Sequence, residues 1–222
     1  MSNFLFGVLA SLIAAAIWHF LVNRERDVRI GAKVFDITKP DSEDQFYVSL
    51  RGAIAKAQTE VIQYAEGFAT SPQERLNVAK DYVGSIRQTL IDNPKLTWTR
   101  IQTRTPCSED WFNLLRSLVA EFPTQFKLYL VDNRPSDHTF SVAALIDPGL
   151  KCNQTFLLIS KPKNLGGPNT VNIGDIALKI RGSQKLSKSL DEQLNRMRDP
   201  NSKFVESISG TTEFSKLPNI RR

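Results

Sequence analysis

Apolar residues recur along this chain in three rhythms, and each predicts a different kind of element. From Asn3 to Val22 they are nearly continuous, and residues 1–22 contain no charged side chain. Such a run, about 20 residues or roughly 30 Å of helix, matches the hydrocarbon core of a bilayer and predicts a transmembrane helix. Beyond it the rhythm changes to helical and strand periods. Val28–Ile37 reads as an extended segment that Lys39-Pro40-Asp41 breaks. Ser42 with Gln45 forms a capping pair, and Phe46, Leu50, Ile54 and Ala57 recur at helical spacing, predicting a helix over 43–59. A short strand, Val61–Ala65, follows. Ser71-Pro72-Gln73-Glu74 opens a helix whose stripe is Leu76, Ala79, Val83, Ile86 and Leu90, and Asn93-Pro94 stops it. Leu96–Thr103 alternates as a strand. Ser108 caps a helix with Trp111, Leu114, Leu115 and Leu118 inward, closed by Pro123.

The second half is built of short apolar runs. Phe126–Val131, Thr139–Ile146 and Gln154–Ile159 read as strands, the last two apolar enough to be covered on both faces. A Gly-, Pro- and Asn-rich loop, Lys161–Thr170, precedes a strand over Ile173–Ile180. Leu186, Leu190, Leu194 and Met197 mark a final helix. The chain therefore divides into an anchor (3–22), a juxtamembrane segment with a strand (23–42), an α/β domain (43–198) and a loose basic tail (199–222). In that tail Leu217→Ala should cost under about 0.5 kcal/mol. The fold class is α/β: a mixed central sheet flanked by helices, preceded by one N-terminal transmembrane helix.

Charge orients the anchor. The chain carries 29 Lys and Arg against 23 Asp and Glu, a net charge of +6. No Lys or Arg precedes the apolar run, whereas Arg24, Arg26, Arg29 and Lys33 follow it. The positive-inside rule places the rest of the chain on the cytoplasmic side of the cell membrane. A cleaved signal peptide is the rival reading, with Ala14-Ala15-Ala16 as a cleavage site. Against it stand the missing basic n-region and the apolar run that continues through Ile17, Trp18 and Leu21. From Lys179 to Arg222 basic residues outnumber acids ten to five. An anionic lipid surface is the simpler use of that excess, since no aromatic platform or recognition motif supports nucleic acid. A solvated helix face explains it equally well.

Candidate chemistry is sparse. The two histidines are His19 and His138, and the two cysteines, Cys107 and Cys152, read as small core hydrophobes. No metal-ligand spacing and no nucleotide-binding or nucleophile-elbow motif is present, so no cofactor is implied. Asp132, Asp137 and Asp147 lie near strand ends, where turn aspartates are common.

The element order over residues 43–198 resembles one half of a phospholipase D-like domain. In that family a strand opens His-x-Lys and ends at an Asp, another closes on a Gly-Ser-x-Asn turn, and an Asn opens the next. Here Asp137-His138-Thr139-Phe140 leads into a strand ending at Asp147. Phe156–Ser160 is similar to the Gly-Ser strand, and Asn172-Ile173-Gly174-Asp175 sits where the Asn strand would open. The resemblance implies a catalytic role for His138 and binding roles for Asp147, Ser160, Asn164 and Asn172. It also implies a homodimer, because single-half members complete their site with a second copy. The motif is degenerate: aligned on Asp147, the His position holds Phe140 and the Lys position Val142. Two functions follow. One is a non-catalytic module acting as scaffold, sensor or regulator. The other is a membrane-tethered dimeric phosphodiesterase acting on phospholipid or nucleic acid.

Overall fold

The computed structural model describes residues 31–36, 40–65, 73–104, 108–132, 142–159, 176–199 and 205–217. Their strands are β1 (Gly31–Asp36), β2 (Glu60–Ala65), β3 (Thr97–Thr103), β4 (Phe126–Val131), β5 (Val142–Ile146), β6 (Gln154–Ile159), β7 (Ile176–Arg181) and β8 (Val205–Ile208). The helices are α1 (Pro40–Ile54), α2 (Gln73–Asp92), α3 (Glu109–Glu121) and α4 (Gln184–Met197). The strands form one mixed sheet in the order β1-β7-β6-β5-β2-β3-β4-β8. β2, β3 and β4 are mutually parallel, joined by the α2 and α3 crossovers. All other neighbours pair antiparallel.

Helical periodicity places α1, α2 and α3 on one face. Phe46, Leu50 and Ala53 of α1 and Ala79, Val83, Ile86 and Leu90 of α2 are buried there. Trp111, Phe112, Leu115 and Leu118 of α3 join them, over Phe35, Val61, Trp98, Phe126, Ala144 and Phe156 of the sheet. Ser108 caps α3 as expected, its hydroxyl accepting from Trp111 N–H at 3.2 Å. The other face carries α4, capped by Ser183, with Leu190 and Leu194 against Ile62, Tyr64, Ile101 and Leu145. β5 is thus covered on both faces. β6 is less so, since Leu157 and Ile159 on the α4 side are only half-buried.

Four expectations change. Pro40 opens α1 rather than breaking the chain, because proline at the first helical turn forfeits no intrahelical bond. α1 ends at Ile54, short of residue 59. Lys56 and Ala57 N–H turn back to Ala53 and Ile54 C=O, so the last turn tightens and closes. Cys152 is exposed and free, not a core residue. The stretch after 198 is not a loose tail throughout. β8 pairs with β4, and a short 3-10 turn, Phe214–Lys216, brings Leu217 into the main core at 6% exposure. The proposed anchor, residues 3–22, lies outside the described residues. Among those described, no helix is long and apolar enough to cross a membrane.

Candidate functional site

Strand direction divides the sheet's margins into two edges. Register places Ala65, Gln102, Leu130, Val142, Leu158 and Ala177 along one row. This is the edge at the C-terminal ends of the parallel strands, where open α/β sheets bind ligands. Described chain stops at Asp132 and resumes at Val142, stops at Ile159 and resumes at Ile176. Both gaps are therefore bounded on this edge, and they contain His138, Ser160, Asn164 and Asn172. These four lie outside the described residues.

Asp147 belongs to the opposite edge. β5 runs away from Val142 for five residues, so Asp147 sits roughly 16 Å along the sheet from the row that bounds those gaps. Its carboxylate is engaged there. It accepts from Gln58 N–H at 2.9 and 3.0 Å, from Thr59 N–H at 2.7 Å and hydroxyl at 3.0 Å, and from Glu60 N–H at 3.1 Å. Asp147 N–H donates to Glu60 C=O at 2.7 Å. Its φ of 51° lies in the left-handed region, which aspartate tolerates better than most residues, although Pro148 follows it. The side chain therefore ties the start of β2 to the end of β5.

Val142, at the family's lysine position, faces the helix-covered side. It is half-buried and packs against the main core, beside Ala65 and Leu158 in the register. No charge reaches a ligand from that position.

Between the ligand edge and the core lies a polar group that the strand pattern did not flag as functional. Arg100 and Gln102 of β3 point inward on alternate positions, with Gln63 of β2 beside Arg100. All three are buried. Tyr82 of α2 donates its hydroxyl to Gln63 Oε1 at 2.6 Å, and Arg100 Nη2 donates to Gln102 Oε1 at 2.8 Å. Trp111 Nε1 reaches the same oxygen at 3.4 Å, and its ring lies 5.8 Å from the guanidinium. The signal was in the sequence: Thr97–Thr103 puts Arg and Gln where period-two alternation calls for apolar residues. Next to them, buried Arg104 binds Asp132 at 3.0 Å and Glu206 at 3.3 Å, fastening β8 to the end of β4. These groups supply hydrogen bonds and fixed positive charge. Among the described residues there is no imidazole to act as nucleophile or base, and no His/Cys/Asp/Glu cluster that could hold a metal.

A groove of about 630 Å³ opens at the Asp147 edge, lined by Glu60, Thr99, Lys127, Tyr129, Asn195 and Arg198 among others. Burial, then the Asp191 carboxylate, raises the Glu60 pKa above its ordinary value. Its charges are mixed in sign.

No protein-family model matches the chain, and no curated protein matches it. Several solved structures are similar. NucT from Helicobacter pylori is 14% identical with a TM-score of 0.47, over 76% of this chain and 96% of that one. The phosphatidylserine synthase of Haemophilus influenzae Rd KW20 is 13% identical with a TM-score of 0.48, over 85% of this chain and 42% of that one. TrmBL2, an archaeal chromatin protein with a novel mode of DNA binding, is 13% identical with a TM-score of 0.43, over 88% and 65%. This chain spans under half the synthase's length.

Proposed function

We propose that this protein is a membrane-anchored, cytoplasm-facing α/β module with a phospholipase D-like half that acts as scaffold, sensor or regulator rather than as a phosphodiesterase. The observation that carries the reading is Val142. Phosphoryl transfer through a histidine needs a cation on the same strand face to hold the phosphoryl oxygens. The strand offers a core-packed valine there, and Phe140 stands at the histidine position. The apolar run 3–22, with its basic flank, supports the anchor and its orientation.

The test is phosphodiesterase activity of purified full-length protein on phospholipid, single-stranded DNA and RNA, beside a His138→Ala variant. The expected result is no turnover above that variant. Metal-independent turnover that disappears in His138→Ala would overturn the proposal and put the dimeric phosphodiesterase reading first.

A further inference from the structure

Positive charge gathers at the corner where β1 and β7 meet α1. Lys33 of β1 and Lys179 of β7 are direct cross-strand partners, and Gly31 faces Arg181 in the same ladder. Like charges directly opposite in an antiparallel pair destabilise it, so the pairing needs a reason. Lys33, Lys179 and Arg181 alternate onto the helix-covered face, and Lys56 follows the end of α1.

Lys179 is the unusual member, at 8% exposure. Its ammonium donates to the Ser49 hydroxyl of α1 at 2.7 Å and stands 5.1 Å from the centre of the Phe156 ring. Both partners are neutral. An ammonium has three N–H donors, so a donor is left for a further acceptor. Lys33 is held similarly, 4.6 Å from the centre of the Phe35 ring. The ion pairs among the described residues join Arg87 to Glu121, Arg104 to Asp132 and Glu206, and Arg198 to Asp191, and so use none of these four cations. The C-terminal dipole of α1, equivalent to roughly half a negative charge, offsets only a fraction of them. Burial, then the charges of Arg181, Lys33 and Lys56, lowers the Lys179 pKa. Among the described residues, the side-chain charges named as acting on this ammonium, those of Arg181, Lys33 and Lys56, are of its own sign.

We propose that Lys33, Lys56, Lys179 and Arg181, with the Ser49 hydroxyl, form a binding site for the phosphoryl group of a phosphate-bearing ligand. The charge count selects the class. A carboxylate brings one negative charge to four cations, whereas a phosphomonoester brings up to two and three acceptor oxygens that bridge several donors at once. The donors are divided suitably. Lys179 is a fixed donor at the base of the site, oriented by Ser49 and Phe156, and exposed Lys33, Lys56 and Arg181 form a rim that closes on the anion. The site is distinct from the ligand edge, since Arg181 lies at the far end of β7 from Ile176. It requires neither catalysis nor the anchor. A free phosphate compound and the headgroup of an anionic lipid present the same chemistry to it.

The experiment titrates full-length protein in neutral detergent with inorganic phosphate and with glycerol 3-phosphate by calorimetry. In parallel, phosphorus NMR follows phosphatidic acid in phosphatidylcholine vesicles carrying the full chain. Lys179→Met keeps the apolar stem over Phe156 and removes the charge. It should weaken the interaction about tenfold or more, the cost of a lost charge-assisted hydrogen bond. Lys33→Gln and Lys56→Gln, at exposed positions that leave the core intact, should each weaken it about threefold. Lys188→Gln, which removes an exposed charge on α4, should leave it unchanged. Saturable binding of the soluble phosphates supports the site with a free ligand. Perturbation of phosphatidic acid alone, weakened in Lys33→Gln and Lys56→Gln and most in Lys179→Met, supports it with a lipid headgroup. Absence of both, or equal losses in Lys188→Gln and the three site variants, would overturn it.

Discussion

Asp147 shows how one side chain decides a local structure. Its carboxylate accepts from three consecutive backbone N–H groups, of Gln58, Thr59 and Glu60. Losing a charged acceptor shared by such part-buried donors is among the costlier single changes. Asp147→Ala should destabilise the domain by about 3 kcal/mol in denaturant unfolding, part of it from placing a Cβ without a compensating bond at φ 51°. Asp147→Asn, which keeps one acceptor and tolerates that φ, should lose less. Equal losses would show that the carboxylate oxygens are not what holds the turn. Glu60 gives the opposite case. Its carboxyl has a pKa raised above 4.5, so folding favours the protonated form and ionisation costs stability as pH rises through the folded pKa. Glu60→Gln should therefore raise Tm at pH 7. That gain should shrink as pH falls through the raised pKa toward 4.5. A gain independent of pH would place its cause elsewhere.

At the scale of elements, the segment after α4 is the main revision. Its sequence, rich in Ser and Thr, has no hydrophobic period, and β8 contributes four residues, Val205–Ile208. What secures it is tertiary. Arg104 binds Glu206, Arg116 donates to Thr212 C=O at 2.9 Å, and Ile208 and Leu217 enter the core beneath α3. Gly210 passes so close to α3 that an added Cβ would meet Ala120 Cα at 2.9 Å. Gly210→Ala should therefore cost about 1–3 kcal/mol by forcing backbone apart. Leu217→Ala should cost about 2–5 kcal/mol, as Leu158→Ala in β6 should. A loss at Leu217 below about 0.5 kcal/mol would restore the loose-tail reading.

At the scale of the whole molecule, the mixed sheet separates two regions. The ligand edge bounds the segments containing His138, Ser160, Asn164 and Asn172, and the opposite edge carries Asp147 and Arg181. In the proposed reading the apolar run 3–22 holds this body at a membrane. Full-length protein should then resist carbonate extraction, because burial of about 20 apolar residues is not reversed by salt or alkali. Recovery in the high-salt wash, or a mature N-terminus at Ile17, would remove the anchor from the proposal.

The elements were legible in the sequence because their causes are local. Ser108 caps α3, Asn93-Pro94 stops α2, and β4 and β6 have the bounds their apolar runs give, Phe126–Val131 and Gln154–Ile159. The proposal of an anchor rests on the continuous apolar run and its basic flank in the sequence alone, since residues 3–22 lie outside the described residues. What needed the tertiary structure was every relation between distant residues. Asp147 bonds to residues 88 and 89 positions away, and Lys179 to a serine 130 positions away. β8 owes its place to pairing with β4, and Lys33 meets Lys179 only because β1 joins the sheet beside β7. Caps and periods act over one or two turns of chain. Register, burial of charge and the opposition of like charges arise when strands from remote parts of the sequence share one sheet.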